Sequence, residues 1–220
     1  MMRQLQSARR GAASGRATSV VVFVHGYGAD GADLLGLADP LVPHLPATAF
    51  YAPDAPDPCA GNPFGRQWFS IPWLDGSTEA DSLAGLLRAA DDLNRFLDRV
   101  MAEEGVGPEA LALVGFSQGA MISLHIAPRR ATAMAGVVAI SGRLLLPDLL
   151  AAQAQVKPPV LLIHGDADPV VPFADMGLAG DALTGAGFEV FGHVMRGTGH
   201  GIAPDGLGVA LQFLSERLPR

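Results

Sequence analysis

The chain has 220 residues, 49% hydrophobic and 17% charged, with a formal net charge of −7 at pH 7. That is ample apolar material for one sizeable core, and it excludes a disordered chain. An acidic balance with no large basic patch argues against nucleic acid and anionic membrane surfaces as partners.

Cys59 is the only cysteine. No internal disulfide can form, and a reducing compartment, by default the cytoplasm, is the expected setting. Residues 1–16 carry Arg3, Arg9, Arg10 and Arg16. The apolar run after them, Val20 to Val24, is too short for a secretory signal or a membrane span. Residues 1–16 are therefore expected to be a flexible lead-in to a single domain over 17–220, with no stable membrane insertion.

Along the chain, short apolar runs alternate with longer amphipathic stretches. Val20–Val24 ends in His25-Gly26, and Ala49–Ala52 ends in Pro53. Residues 53–76 hold five prolines, three glycines and both tryptophans, with Phe64, Trp68, Phe69, Trp73 and Leu74 among them. So long a loop inside a compact domain is usually functional, and its aromatic content speaks against disorder. Ser77-Thr78-Glu79 offers a helix start, and Leu83, Leu86, Leu87, Ala90, Leu93, Leu97, Val100 and Met101 form a stripe up to Gly105, with Asp92 on the polar side. Leu111–Val114, Val137–Ile140, Val160–Ile163 and Glu189–Met195 supply further strands. The last helix follows Pro204-Asp205 and is expected to bury Leu207, Leu211, Leu214 and Leu218. Continuous rather than alternating apolar runs indicate strands covered on both faces, so the pattern predicts an α/β fold with a mostly parallel, doubly wound sheet. In such folds ligands sit at the carboxyl ends of the strands.

The residues suited to chemistry fall at those ends. Gly115-Phe-Ser-Gln-Gly119 lies between the Leu111–Val114 strand and a helix running from Gln118 to Ala127. This is the context of a nucleophile elbow, with Ser117 on a tight turn before a helix N-terminus. A serine hydroxyl needs a base. Of the six histidines, His200 sits on the loop between the last strand and the last helix. His25 and His164, at strand ends before glycine, read as structural. Asp166 and Asp168, after the Val160–Ile163 strand, are both within plausible reach as the carboxylate that orients the base. Backbone N–H groups of Gln118, directly after the serine, and of Tyr27, in His25-Gly-Tyr-Gly28, are the candidate oxyanion donors.

These residues resemble the phospholipase/carboxylesterase family, which includes acyl-protein thioesterases and bacterial carboxylesterases, over about Val20 to Leu218. The family's H-G-x-G is matched at 25–28, G-F-S-Q-G at 115–119, H-G-x-x-D-x-x-V-P at 164–172 and G-x-G-H at 197–200. The third motif assigns the triad aspartate to Asp168. The family often has W-F-D in the loop after the second strand, whereas this chain has Trp68-Phe69-Ser70, which leaves substrate detail in that loop open. The resemblance implies an α/β-hydrolase fold, hydrolysis of carboxylic esters or thioesters by Ser117, Asp168 and His200, no cofactor, and frequent homodimers. No insertion large enough for a lid domain is visible, so an open site taking small-molecule esters of short-to-medium acyl chains is expected. Trp68, Phe69, Trp73, Leu74, Val170, Val171 and Phe173 are expected to form its apolar wall. A thioesterase or lysophospholipase is the alternative within the same chemistry, and a non-catalytic binding module the distant one. No metal is expected, because the histidines are scattered and no paired-ligand spacing exists, and no dinucleotide, on the reading that no G-x-G-x-x-G follows a strand.

Overall fold

The computed structural model describes residues 3–219. Met1, Met2 and Arg220 lie outside the described residues. In chain order the elements are β1 (Ser7–Gly11), β2 (Ser19–Val24), α1 (Gly31–Leu35), α2 (Ala38–Leu41), β3 (Thr48–Pro53), β4 (Asp57–Cys59), β5 (Asn62–Gln67), α3 (Pro72–Asp75) and α4 (Glu79–Glu104). There follow β6 (Leu111–Phe116), α5 (Gln118–Ile126), β7 (Gly136–Ile140), α6 (Pro147–Gln153), β8 (Val160–Gly165), α7 (Ala174–Gly185), β9 (Val190–Met195) and α8 (Pro204–Arg217). Seven strands make one sheet in the order β1-β3-β2-β6-β7-β8-β9, with β4 and β5 a separate hairpin. All pairings in the large sheet are parallel except that of β1 with β3.

The continuous apolar runs are explained by two cores, one on each face. Val20, Val22 and Val24 of β2 point into a core shared with α4, α5 and α7. Val21 and Phe23 point into a second, shared with α1, α2 and α8. A strand buried on both sides has no polar face to show, so it lacks alternation. The sheet is thus covered on both faces, and among the described residues no segment forms a separate lid domain.

Three expectations require correction. The lead-in is not free over its length: Ser7–Gly11 forms the antiparallel edge strand β1, registered from Ser7 against Pro53 to Gly11 against Ala49. Its hold is polar. Arg9 reaches the buried Glu104 carboxylate at 2.8 Å, and the Tyr51 hydroxyl donates to the same oxygen at 2.6 Å. Arg3 bridges Asp57 and Asp92, tying the chain start to the hairpin and to α4. The second correction concerns α4. Its start, a Thr78–Asp81 capping box, and its stop, Gly105 in the left-handed conformation, are as the sequence suggests. Its buried face, however, is rotated: Leu83 and Leu87 are exposed, while Ala89, Phe96 and the ion-paired Asp92 are buried. In α8, thirdly, Phe213 and Ala210 are buried beside Leu214 and Leu218, and Leu207 and Leu211 only partly.

Candidate active site

Ser117 lies between the last residue of β6 and the first of α5, at φ 53° and ψ −116°. A non-glycine residue there costs on the order of 1–3 kcal/mol and persists only where neighbours over-determine it. Those neighbours are identifiable. The Ser117 N–H donates to the Ile140 carbonyl at the end of β7 at 2.8 Å, and the Ser117 carbonyl accepts from Met121 in α5. Gly119 must be glycine, because a Cβ would collide with the Val24 carbonyl where α5 crosses the end of β2.

His200 comes from the loop between β9 and α8. Its Nε2 is 3.0 Å from Ser117 Oγ and its Nδ1 is 2.8 Å from Asp168 Oδ2. The Phe116 ring packs 4.9 Å from the imidazole, restricting its tilt. The Asp168 side chain is fully buried. Its Oδ1 accepts the N–H groups of Val170 (2.8 Å) and Val171 (3.0 Å). Burial pushes this carboxyl up, but the hydrogen bonds from His200, Val171 and Val170 outweigh it and hold it below its ordinary value. The group is therefore an anion at neutral pH, and Nδ1 of His200 must carry the proton it donates. That leaves Nε2 as an acceptor facing the serine hydroxyl, the geometry a general base needs.

Asp166, the other sequence candidate, does not face His200. It accepts from the Gly197 N–H at 2.6 Å and lies 3.6 Å from Arg196, so it anchors the start of the loop that carries His200.

The oxyanion candidates converge on Ser117. A Cβ on Gly26 would lie 3.3 Å from Ser117 Cβ, which puts the His25–Gly28 loop against the nucleophile. The N–H of Gln118 opens α5, where the positive end of the helix dipole lies. Among the described residues neither the Gln118 nor the Tyr27 N–H has a protein acceptor, whereas three later amides of the 25–31 loop do. Gly28 N–H donates to Arg66 O, Ala29 N–H to Gly26 O, and Gly31 N–H to Asp54 Oδ1. The expectation that no G-x-G-x-x-G follows a strand is corrected here: Gly26–Gly31 fits that pattern between β2 and α1. With those amides already taken and a helix of only five residues, the loop offers no cradle for a pyrophosphate. Among the described residues no cluster of three or more His, Cys, Asp or Glu could hold a metal.

The expected apolar wall divides into two groups. Trp68 is 0% exposed and its indole N–H donates to the His25 carbonyl at 2.9 Å, so it backs the oxyanion loop from inside the core. His25 is locked there too: its Nε2 accepts from Ala55 N–H, so Nδ1 carries the hydrogen and donates to Gly26 O, and burial lowers its pKa, keeping the ring neutral. Phe69 and Val171 are likewise core residues. These three do not form an open wall. Trp73 (61% exposed), Leu74, Val170 (52%) and Phe173 (38%) do remain on the surface. Arg143, after β7, stacks over Trp73 at 5.3 Å and pairs with Asp175, the second residue of α7, at 2.7 Å, joining the loops that carry Trp73 and Phe173.

The sequence reading missed what fixes the 53–76 loop. The Gln118 side chain accepts from Trp68 N–H at 2.8 Å and donates to Phe69 O at 2.7 Å, clamping the loop to α5. The glutamine within G-F-S-Q-G was the available signal.

Comparison with known proteins agrees with this fold. Residues 9–218 match the phospholipase/carboxylesterase family. The esterase YpfH of Escherichia coli K12 is 31% identical over 93% of this chain and 85% of its own length. Acyl-protein thioesterase 1 of Neurospora crassa is 30% identical over 93% and 89% respectively. The crystal structure of the esterase PE8 superposes with a TM-score of 0.92 at 42% identity, covering 98% of this chain and all of that one. The chain belongs to the phospholipase/carboxylesterase family and is a hydrolase of the α/β-hydrolase fold.

Proposed function

We propose that the protein is a serine carboxylesterase that hydrolyses carboxylic esters of short-to-medium acyl chains through an acyl-Ser117 intermediate. The observation that carries this reading is the continuous hydrogen-bonded line Ser117 Oγ–His200–Asp168 at 3.0 and 2.8 Å, with Ser117 at the N-terminus of α5. Ser117 Oγ attacks the ester carbonyl while its proton passes to His200 Nε2. The resulting oxyanion accepts hydrogen bonds from the Gln118 and Tyr27 amides. His200 then returns the proton to the departing alkoxide as the ester C–O bond breaks. Water then attacks the acyl-serine as its proton passes to His200, and His200 returns that proton to Ser117 Oγ as the acyl–Oγ bond breaks and the carboxylic acid leaves. Asp168 stays ionised throughout and stabilises the imidazolium. The exposed Trp73, Leu74, Val170 and Phe173 supply apolar surface for the acyl chain. The unpaired Cys59 supports a cytoplasmic setting.

A second reading uses the same machinery on thioesters. It is supported by the Neurospora crassa relative, named an acyl-protein thioesterase. The experiment is hydrolysis of p-nitrophenyl esters from acetate to palmitate beside thioesters of the same acids, with Ser117→Ala as control. The proposal expects the best kcat/KM on oxygen esters at eight carbons or fewer. Faster turnover of palmitate than butyrate, or activity on thioesters alone, would replace it.

A further inference from the structure

Asp168 is touched by a second histidine that the mechanism above does not use. His164, at the end of β8, is 1% exposed. Its Nε2 lies 3.0 Å from the Val171 carbonyl and 3.3 Å from Asp168 Oδ2. A carbonyl oxygen can only accept, so Nε2 carries a hydrogen and donates it to Val171 O, while Asp168 Oδ2 lies beside that N–H at 3.3 Å, within reach of its dipole. The oxygen it approaches, Oδ2, is the one His200 uses, while Oδ1 is occupied by two backbone amides. The Phe173 ring stands edge-on to His164 at 6.1 Å and closes that side.

We propose that His164 is a positioning residue for the hydrolytic reaction. Its Nε2–H fixes both the place of Asp168 and the share of the carboxylate charge that reaches His200. The inference rests on the triad reading above and adds a member to it. Two consequences follow from this arrangement. The first is geometric: His164 holds the Val171 carbonyl and the Val171 N–H holds Asp168 Oδ1, so loss of the donor loosens the carboxylate on which the His200 ring leans. Misplacement of this kind lowers turnover without touching substrate contacts. The second is electrostatic: the N–H dipole 3.3 Å from Oδ2 offsets part of the carboxylate charge, so its removal leaves more of that charge for the imidazolium of His200. The charged and titratable groups of this turn and its neighbours are Asp168, His200 and Asp166, the last paired with Arg196. The Arg143–Asp175 pair lies beyond Phe173 and neutralises itself.

The test is steady-state kinetics from pH 5 to 9 on a short p-nitrophenyl ester with wild type, His164→Leu, His164→Gln and Ser117→Ala. Circular dichroism and thermal melts establish that each variant is folded. Glutamine places an N–H where Nε2 was, and leucine fills the volume without one. The inference predicts that His164→Leu loses roughly tenfold or more in kcat, keeps its KM, and moves the acid limb of kcat/KM to higher pH. It predicts that His164→Gln recovers most of both. A folded His164→Leu with wild-type kcat and an unmoved acid limb would overturn it. So would a loss of kcat that glutamine does not rescue and that leaves the pH profile in place, since that pattern reports only packing. Should His164→Leu unfold, His164→Met takes its place: a folded His164→Met with wild-type kcat and acid limb overturns the inference, and a loss in both that glutamine restores supports it. Ser117→Ala retaining wild-type activity would sink the triad reading itself, a failure distinct from that of His164.

Discussion

Asp168 and Glu104 are both carboxylates with fully buried side chains, and both are held below their ordinary range against the opposing push of burial. They differ in what compensates them. Glu104 faces a full cation, Arg9, together with the Tyr51 hydroxyl and the Gly15 N–H. Asp168 faces two histidine nitrogens and two backbone amides, with no arginine or lysine on it among the described residues. A carboxylate already neutralised by a guanidinium can staple a strand to a helix but has little charge left to offer. One held only by dipoles keeps its charge available for an imidazolium that forms during a reaction. The difference in partner, rather than in burial, separates the structural acid from the proposed catalytic one.

The sharpest way to break that contrast is at the active site. Ser117→Ala should cost several orders of magnitude in kcat on any ester the protein cleaves, with an unchanged melting temperature. Asp168→Asn should follow at roughly 10²–10⁴-fold, because an amide can neither fix the His200 tautomer nor stabilise its charged form. At the other acid the expected pattern is reversed. Arg9→Ala leaves Glu104 buried and unpaired, and should cost about 3 kcal/mol in chemical denaturation while leaving kcat intact. An Arg9 variant that lost activity but not stability would erase the distinction.

The pH dependence of stability sharpens it further. Burial and nearby Arg129 lower His125 in α5 to about 4. The unfolded chain then takes up a proton near pH 6.5, before the native state does. This contribution is full above that pH and is lost as pH falls from about 6.5 to about 4, on the order of 3 kcal/mol. His125→Leu should flatten the denaturation midpoint over that window. The contributions of Asp168 and Glu104 have the same sign but fail at lower pH, as each carboxylate is protonated in the folded state.

The parts of the fold legible in sequence were those set by local pattern. The apolar runs of β2, β3 and β6 to β8 announce burial on both faces, Thr78 and Gly105 mark the ends of α4, and Gly115–Gly119 marks the elbow. What was not legible depends on distant partners. Ser7–Gly11 has no apolar period because it is an exposed edge strand, and Arg9 meets Glu104 across 95 residues. The role of Trp68 as a brace rather than a wall depends on Gln118, 50 residues away. His164 is the exception: its partner Asp168 is only four residues on, but the turn that folds it back carries no apolar period to read.

The central claim is that Ser117 becomes acylated. The most direct measurement is intact-mass and peptide mass spectrometry after treatment with a serine-directed fluorophosphonate, run on wild type and Ser117→Ala. The account predicts one adduct per chain, on the peptide containing Ser117, with activity lost in proportion and no adduct in the variant. Labelling at another serine, such as the buried Ser141 with its own φ of 50°, or full activity in a chain modified at Ser117, would contradict it.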